Sequence, residues 1–98
     1  MKVVILEPAQ FDLLEGYWFY ETQATGVGTK FVQEMKAAID SLYHTAGIHR
    51  CVSGRYHWII SRRFSHAVYY HVEGEVAYVA AVIDCRRSPE WIRTRLGQ

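Results

Sequence analysis

The sequence is poor in several features that define common protein classes. Its 98 residues include two cysteines, which are too few for the disulfide framework of a small secreted domain. The first apolar run ends at Glu7 and Pro8, so it predicts neither a signal peptide nor a membrane span. No low-complexity linker or internal repeat is visible. We therefore expect a single domain, residues 1–98, that works in the reducing cytoplasm and away from membranes.

A strong charge of one sign is also missing. The formal net charge is +1, and lysine occurs only at positions 2, 30 and 36. Proteins that bind RNA or the ribosome favour strong positive charge. The net charge of this protein therefore predicts no strong electrostatic attraction between the whole molecule and nucleic acid. The basic residues are nevertheless unevenly placed, because six of the eleven lie in Arg62-Arg63, Arg86-Arg87, Arg93 and Arg95.

Motifs that would hold a cofactor or a metal are absent from the sequence. It contains no Gly-rich phosphate loop and no nucleophile elbow. Cys51, His49 and Cys85 are residue types that bind zinc, but none of their spacings matches a structural zinc pattern. We therefore expect no cofactor and no metal ion.

Apolar and aromatic residues are plentiful, and their spacing in the first half of the chain predicts one strand and two helices. Half of the residues are hydrophobic, which favours a folded core. A β-branched run predicts a strand at residues 3–6. Helical spacing follows Pro8, breaks at residues 24–28, and resumes from near Thr29 to Gly47. Two helices with a short glycine-containing joint are typical of an antiparallel helical hairpin.

The second half of the chain changes to a period of two. Three strands are predicted, at residues 56–61, 66–72 and 76–84. Pro89 then opens a short C-terminal helix. The order β-α-α-β-β-β is typical of an α+β fold, because helices and strands are segregated along the chain. We expect a helical hairpin packed on one face of a mainly antiparallel four-stranded sheet.

The last two strands are predicted to form a hairpin around a turn at Glu73-Gly74. This turn implies four cross-strand pairs: Val72 with Glu75, Tyr70 with Ala77, Val68 with Val79, and His66 with Ala81. We expect this face to lie under the helices. The opposite face is expected to be uncovered. Its predicted members are Ala67, Tyr69, His71, Ala80, Tyr78, Val76, Val82 and Asp84.

An antiparallel hairpin brings the two arginine pairs to one end of the sheet. Arg62 and Arg63 precede the third strand, and Arg86 and Arg87 follow the fourth. Guanidinium groups bind phosphate and carboxylate through a planar fork, so we interpret the cluster as a surface for an anionic protein or a nucleic-acid backbone. The alternative is ordinary solvation, with Arg86 paired to Asp84.

The segment YWFYE, residues 17–21, places aromatic side chains all around one helical turn. Phe11, Leu14 and Trp18 share one apolar stripe of this helix, and Leu13, Tyr17 and Tyr20 widen it. The aromatic side chains cannot all face the sheet, so some must contact solvent or another chain. We therefore predict that Tyr17, Trp18 and Tyr20 bind a partner protein, and a second copy of this chain is one alternative.

Four segments together carry a family resemblance. EPAQFDLLEGYWFYE and GVGTKFVQEMKAAIDSL cover the helices. RFSHAVYY is close to a recurrent Arg-Phe-Pro-aromatic strand start, with Ser65 in place of the proline, and CRRSPEWIRTRL is close to a recurrent Arg-Arg-x-Pro-x-Trp ending. Over nearly its whole length the chain resembles the RelE/ParE superfamily of toxins from bacterial toxin–antitoxin modules, often called plasmid-stabilisation proteins.

The resemblance implies a growth inhibitor that a small, acidic cognate antitoxin neutralises. RelE-like members cut mRNA on the ribosome, whereas ParE-like members inhibit DNA gyrase and are not nucleases. RelE-like members offer lysines in the second strand, an arginine early in the third strand, and a basic residue with a tyrosine or histidine near the end. In this chain the second strand has no lysine, Ala67 occupies the arginine position, and Trp91 stands where the terminal tyrosine would be, an indole that cannot act as a general acid. Arg87 is the one clear match to the family pattern. The chain is therefore nearer to ParE.

The primary hypothesis is a toxin that binds an essential target such as DNA gyrase through a surface made of Arg62, Arg63, Arg86, Arg87 and Trp91. One alternative is a ribosome-dependent mRNA interferase in which His57 and His71 form an unconventional acid–base pair and act with Arg87. Another alternative is an inactive homologue that only binds a partner. The sequence leaves open whether the protein is an enzyme.

Overall fold

The elements follow the α+β order that the sequence predicts, with one additional strand. The computed structural model describes residues 1–97, so Gln98 of the predicted domain lies outside the described residues. In chain order the elements are β1 (Lys2–Ile5), α1 (Glu7–Glu21), α2 (Val27–Thr45), β2 (Cys51–Ser53), β3 (Tyr56–Ser61), β4 (His66–Glu73), β5 (Val76–Asp84) and α3 (Pro89–Arg95). No helix within residues 1–97 combines the length and the apolar character that crossing a membrane requires.

The sheet has five strands in the order β1-β5-β4-β3-β2, so the prediction of four strands is wrong by one. The missed strand is β2, which has three residues and is too short to show an alternating pattern. β1 runs parallel to β5, and all other neighbours are antiparallel. The expectation of a mainly antiparallel sheet with a helical hairpin on one face is confirmed.

The helical hairpin covers this face mainly through α2. Four α2 side chains, Phe31, Met35, Ile39 and Leu42, are buried almost completely. They form one cluster with sheet residues that point to the helices, among them Val68, Tyr70, Ala77, Val79 and Val82. The spacing of these α2 residues at every third or fourth position explains why the second helix was predictable from its apolar pattern.

The apolar stripe of α1 is divided between core and surface, because Leu13 and Tyr20 pack against the core whereas its other members are more exposed. Phe11, Leu14 and Trp18 are 57%, 53% and 57% exposed. The inward side of α1 instead carries Ala9 and Gly16, both buried. A Cβ atom on Gly16 would lie 2.4 Å from Cε2 of the Phe31 ring. The small residues therefore let α1 approach α2 closely, and the aromatic stripe is left on the outside.

The turn of the β4–β5 hairpin also differs from its prediction. Glu73 pairs with Val76 and Val72 pairs with Ala77, so the turn is Gly74-Glu75 rather than Glu73-Gly74. Gly74 has a φ of +60°, which suits the first central position of a type II′ turn. The register near the turn is therefore shifted by two residues from the predicted one. Because the shift is even, Tyr70 and Val72 keep the face that was predicted for them.

A β-bulge in β5 changes the alternation further along the hairpin. Tyr70 pairs with Val79 whereas Tyr69 pairs with Ala81, so Ala80 is an extra residue on β5. Beyond the bulge, Val82 belongs to the helix-covered core and Ala81 to the opposite face. The predicted faces of Ala81, Val82 and Asp84 are therefore wrong, since an alternating pattern does not reveal an inserted residue.

The second face of the sheet is partly covered, which corrects the expectation that it would be open. Its cluster includes Tyr56, Tyr69 and Ile83. These residues pack with Leu96, the C-cap residue that follows α3. Burial raises the pKa of the Tyr69 phenol to about 12. The C-terminal helix thus lies over the end of this face beyond the bulge.

Candidate functional site

Both arginine pairs lie at the same end of the sheet. Arg62 and Arg63 are in the turn between β3 and β4, and Arg86 and Arg87 directly follow β5. The first residue of β4 pairs with the last residue of β5, so the two turns are neighbours. Arg63 and Arg86 also line one shallow groove beside Phe19. We call the four arginines together with Trp91 the arginine rim.

Arg86 is held by an acidic neighbour. Its Nε lies 3.0 Å from Oδ1 of Asp84, and its Nη2 lies 2.7 Å from Oδ2 of the same carboxylate. The hydrogen bonds from the Arg86 guanidinium lower the pKa of Asp84 to about 2. Because of the β-bulge at Ala80, the Asp84 side chain lies on the helix-covered side of the sheet. Arg86 therefore has the pairing that the sequence left as its alternative, although its side chain is still 68% exposed.

Arg87 and Trp91 form a stacked pair at the edge of a second groove. The Arg87 guanidinium lies 4.4 Å from the centroid of the Trp91 ring, which is a favourable cation–π geometry. Both side chains line a groove of about 250 Å³ between α1, the end of β5 and α3. Phe19 and His66 line it as well. The indole is 40% exposed, so the pair presents a flat cationic surface to solvent.

The position of Trp91 depends on how α3 is attached. The Ser88 hydroxyl caps α3 by accepting a hydrogen bond from the Trp91 N–H at 3.1 Å. Arg95, in the last turn of α3, donates to Asp12 of α1 at 2.6 Å. Oδ2 of Asp12 also accepts from the Val82 N–H at 2.9 Å. One carboxylate thus joins α1, β5 and α3, a role that no sequence pattern signalled.

The environment of Asp12 contains opposing effects on its protonation. Burial raises the pKa of the Asp12 carboxyl, while the Val82 N–H and the Arg95 guanidinium lower it. Burial is the largest effect, and the net direction is upward. The hydrogen bonds to Asp12 are nevertheless short. Its contact with Arg95 is therefore a specific interaction, although burial disfavours the charged carboxylate.

The turn between β3 and β4 departs at one residue from the recurrent Arg-Phe-Pro-aromatic motif. Arg62 and Arg63 are exposed, and the Arg63 guanidinium lies 5.4 Å from the centroid of the Phe64 ring. Ser65, which replaces the proline of the recurrent motif, has a φ of +52°. Proline is locked near −65°, so this turn has a backbone conformation that the family's proline cannot adopt. The Ser65 carbonyl accepts a hydrogen bond from the Cys85 N–H at 2.7 Å.

The two candidate catalytic histidines lie on opposite faces of the sheet. His57 stacks on Tyr70, whose ring belongs to the helix-covered core. His71, the next residue after Tyr70 on β4, stacks on Tyr78 on the other face. Burial lowers the pKa of His71, which favours its neutral form. The acid–base pair of His57 and His71 is therefore not assembled.

Neither histidine lies near Arg87. His71 lies close to the Gly74-Glu75 turn, whereas Arg87 lies at the other end of the β4–β5 hairpin. The proposed group of His57, His71 and Arg87 is thus spread over the sheet. Within residues 1–97, no three His, Cys, Asp or Glu side chains are placed to hold a metal ion.

The predicted partner-binding aromatics separate into an outer and an inner set. Trp18 is exposed, and the half-buried Tyr17 ring meets its edge at a centroid distance of 5.1 Å. Tyr20 instead points inward, where its hydroxyl donates to the Phe64 carbonyl at 2.8 Å. Tyr20 is therefore a half-buried residue that packs against the core and anchors the turn between β3 and β4. The outer surface of α1 is an apolar stripe of Phe11, Leu14 and Trp18.

Comparison with known proteins gives a match by structure only. No protein-family profile matches the chain, and no curated protein matches it by sequence. Nine chains of solved structures match its fold. One is a chain of the chromosomal ParDE TA system from P. aeruginosa, with a TM-score of 0.78 and 16% sequence identity; the match covers 86% of this chain and 95% of that chain. The two chains share a fold, which confirms the fold that the RelE/ParE resemblance implied.

Proposed function

We propose that this protein is the toxin of a type II toxin–antitoxin module, which stops growth by binding DNA gyrase in the cytoplasm and is neutralised by a cognate antitoxin. The observation that carries the proposal is the fold shared with a chain of the ParDE system over most of both chains. The arginine rim supports it, because a cluster of exposed cations at one end of the sheet provides a contact surface for a partner.

The arginine rim suits a protein target whose surface carries carboxylate or phosphate groups. Arg62, Arg63 and Arg87 present their guanidinium groups to solvent, while Arg86 already pairs with Asp84. Arginine and tryptophan are the residue types that most often dominate the energetics of protein interfaces. We therefore assign the main contact to Arg87 and Trp91, with Arg62 and Arg63 as flanking charges.

The antitoxin is proposed to cover the outside of α1. Three large apolar side chains in consecutive turns, Phe11, Leu14 and Trp18, are each more than half exposed. An amphipathic segment of a partner can bury such a stripe through residues spaced by three and four. Phe11, Leu14 and Trp18 are not among the residues that line the two grooves of the arginine rim, so one protein can carry both contacts.

The mRNA-interferase alternative lacks a supporting arrangement. His57 and His71 face opposite sides of the sheet, and Arg87 lies at a distance from both along the hairpin. An RNA-cutting site needs a proton acceptor and a proton donor on one substrate. We therefore expect no message cleavage by this protein.

A supercoiling assay tests the proposal. Purified protein is added to DNA gyrase and relaxed plasmid, and supercoiled product is measured on gels. We expect inhibition by the natural sequence and a loss of at least about tenfold in potency for Arg87→Ala combined with Trp91→Ala, as expected for an interface hot spot. Arg55→Ala is the matched control, since Arg55 is exposed and pairs with Glu73 near the opposite end of the hairpin.

Two other assays separate the alternatives. Translating ribosomes are incubated with the protein, and message ends are mapped; site-specific cleavage that is lost on Arg87→Ala would replace our proposal with the interferase. If both assays are silent while the protein binds the product of a neighbouring gene, the inactive partner-binding homologue is correct. Antitoxin binding that persists in the Trp18→Ala variant would remove the α1 stripe from the proposal.

A further inference from the structure

The outer surface of α1 combines exposed apolar side chains with exposed acidic ones. Phe11, Leu14 and Trp18 are each more than half exposed. Residues three or four positions apart lie side by side on a helix, so Glu7 and Glu15 are both neighbours of Phe11. Glu15 is also a neighbour of Trp18, and both glutamates are exposed. The apolar stripe therefore has one carboxylate at its N-terminal end and another along one side.

The charged side chains of α1 are all of one sign. The helix contains four acidic residues and no lysine, arginine or histidine. Two of the acids are engaged within the protein, because Asp12 pairs with Arg95 and Glu21 accepts hydrogen bonds from two backbone N–H groups at the N-terminus of α2. None of the ion pairs within residues 1–97 includes Glu7 or Glu15. These two carboxylates are therefore available to a partner.

This charge pattern disfavours two of the occupants that the apolar stripe could have. The α1 helix of a second copy would bring further acidic residues to the contact and no basic residue, and like charges across an interface repel. An acidic segment of another protein meets the same repulsion. A segment with lysine or arginine beside its apolar residues is attracted instead, and the long stems of these side chains also cover apolar surface. Charge complementarity therefore selects a basic occupant.

We propose that the stripe of Phe11, Leu14 and Trp18 binds an amphipathic helix of the antitoxin in which lysine or arginine flanks the apolar residues. The inference rests on the proposed function and specifies the chemistry of the contact with α1. Apolar residues spaced by three and four cover the stripe, and the cationic side chains beside them pair with Glu7 and Glu15. An antitoxin that is acidic overall, as the family resemblance implies, then carries a local basic segment for α1.

Two synthetic helical peptides of equal length are the probes. Both carry leucines spaced by three and four; lysines flank the leucines in one peptide, and glutamates flank them in the other. Binding of each labelled peptide to the full-length protein is measured by fluorescence anisotropy at low salt. We expect the lysine peptide to bind at least about tenfold more tightly than the glutamate peptide. This preference should shrink as sodium chloride is raised, because salt screens exposed charges.

Charge-reversed variants locate the preference on the molecule. Glu7→Lys combined with Glu15→Lys should abolish or invert it. Glu73→Lys combined with Glu75→Lys changes the net charge equally at two exposed positions beside the turn of the β4–β5 hairpin, and this control should keep the preference. Trp18→Ala should weaken binding of the lysine peptide by about tenfold, as expected for a large aromatic contact. Circular dichroism verifies that each variant is folded.

The inference is overturned if the two peptides bind equally, if the glutamate peptide binds more tightly, or if neither binds. A preference that survives reversal of both Glu7 and Glu15 would place the contact elsewhere and would also overturn it. If that variant does not fold, a preference of the natural sequence that is unchanged at high salt has the same consequence. A dimer that sedimentation detects and Trp18→Ala dissociates would assign the stripe to a second copy instead.

The peptide titrations contain no gyrase, so the two proposals can fail separately. Absence of inhibition in the supercoiling assay would refute the proposed function without changing the peptide result. Equal binding of the two peptides would refute the basic segment and leave the inhibition of gyrase untouched.

Discussion

The two faces of the sheet are covered in different ways. One face carries two helices of 15 and 19 residues, and four α2 side chains from Phe31 to Leu42 are almost fully buried against it. The other face carries tyrosines and a single helix of seven residues, which contributes Ile92 and the adjoining Leu96. The comparison indicates that most of the packing energy lies on the first face, whereas the second face holds the helix that positions Trp91.

The largest predicted effect tests this division directly. Phe31→Ala removes a buried ring on the helix-covered face and is expected to lower the free energy of unfolding by about 4 kcal/mol. Leu96→Ala, on the opposite face, is expected to cost about 2 kcal/mol, because the short helix can relax around the smaller side chain. Urea denaturation followed by circular dichroism measures both. Equal losses would contradict the division between the faces.

A second prediction sharpens the account of the helix-covered face. A Cβ atom on Gly28 of α2 would lie 2.4 Å from the Tyr17 carbonyl oxygen of α1, and backbone cannot move aside as a flexible side chain can. Gly28→Ala is therefore expected to destabilise the protein by about 2 kcal/mol, although alanine is the better helix former. Gln33→Ala, at an exposed position of the same helix, is the control and should change stability by less than about 0.5 kcal/mol.

A third prediction concerns Asp12, whose carboxylate joins α1, β5 and α3. Asp12→Ala removes the acceptor that joins α1, the Val82 N–H and Arg95. We expect a loss of about 1.5 kcal/mol, since the Val82 N–H loses its hydrogen-bond partner. Amide hydrogen exchange should rise in α3 and stay unchanged in the middle of α2. A double-mutant cycle with Arg95→Ala should give a coupling of at least about 0.5 kcal/mol, and strict additivity would contradict the link.

The smallest predicted effect concerns the arginine rim and its dependence on pH. The pKa of Asp84 is lowered from 3.8 to about 2 by Arg86, so the pair stabilises the fold above the ordinary pKa. This stabilisation is lost as the pH falls from about 4 through about 2. Because Arg86 is mostly exposed, Arg86→Ala should lower the stability only slightly near pH 6 and by still less near pH 2. Urea titrations at both pH values measure the difference; a constant cost would exclude the ion pair as its cause.

Periodicity was sufficient to predict most of the fold. The elements α2, β3 and β5 are long and rich in apolar residues, and their positions follow from that pattern although the bulge in β5 does not. β2 was missed because three residues show no period. The side of α1 that faces α2 was not predicted, because Gly16, which carries no hydrophobic signal, faces the Phe31 ring. Such a contact depends on the partner helix and is not encoded in the local pattern.

The candidate site was predictable in its location but not in its contacts. Antiparallel strands place Arg62 and Arg87 at one end of the sheet whatever the register. The pairing of Arg86 with Asp84 needs Asp84 on the helix side, which depends on the bulge. The link from Asp12 to Arg95 joins residues far apart in the chain. Neither contact has a sequence motif, because each arises from tertiary packing.

Ala80 has a consequence for how length differences in this region are interpreted. Deleting this residue would remove the bulge but keep the cross-strand pairs from Tyr69 with Ala81 to His66 with Asp84, so Val82 and Asp84 would stay on the helix-covered side. A regular strand in place of the bulge would therefore leave Asp84 in the wall of the groove beside His66. Homologues that are one residue shorter at this point are expected to present the same side chains there on a straighter, less twisted strand.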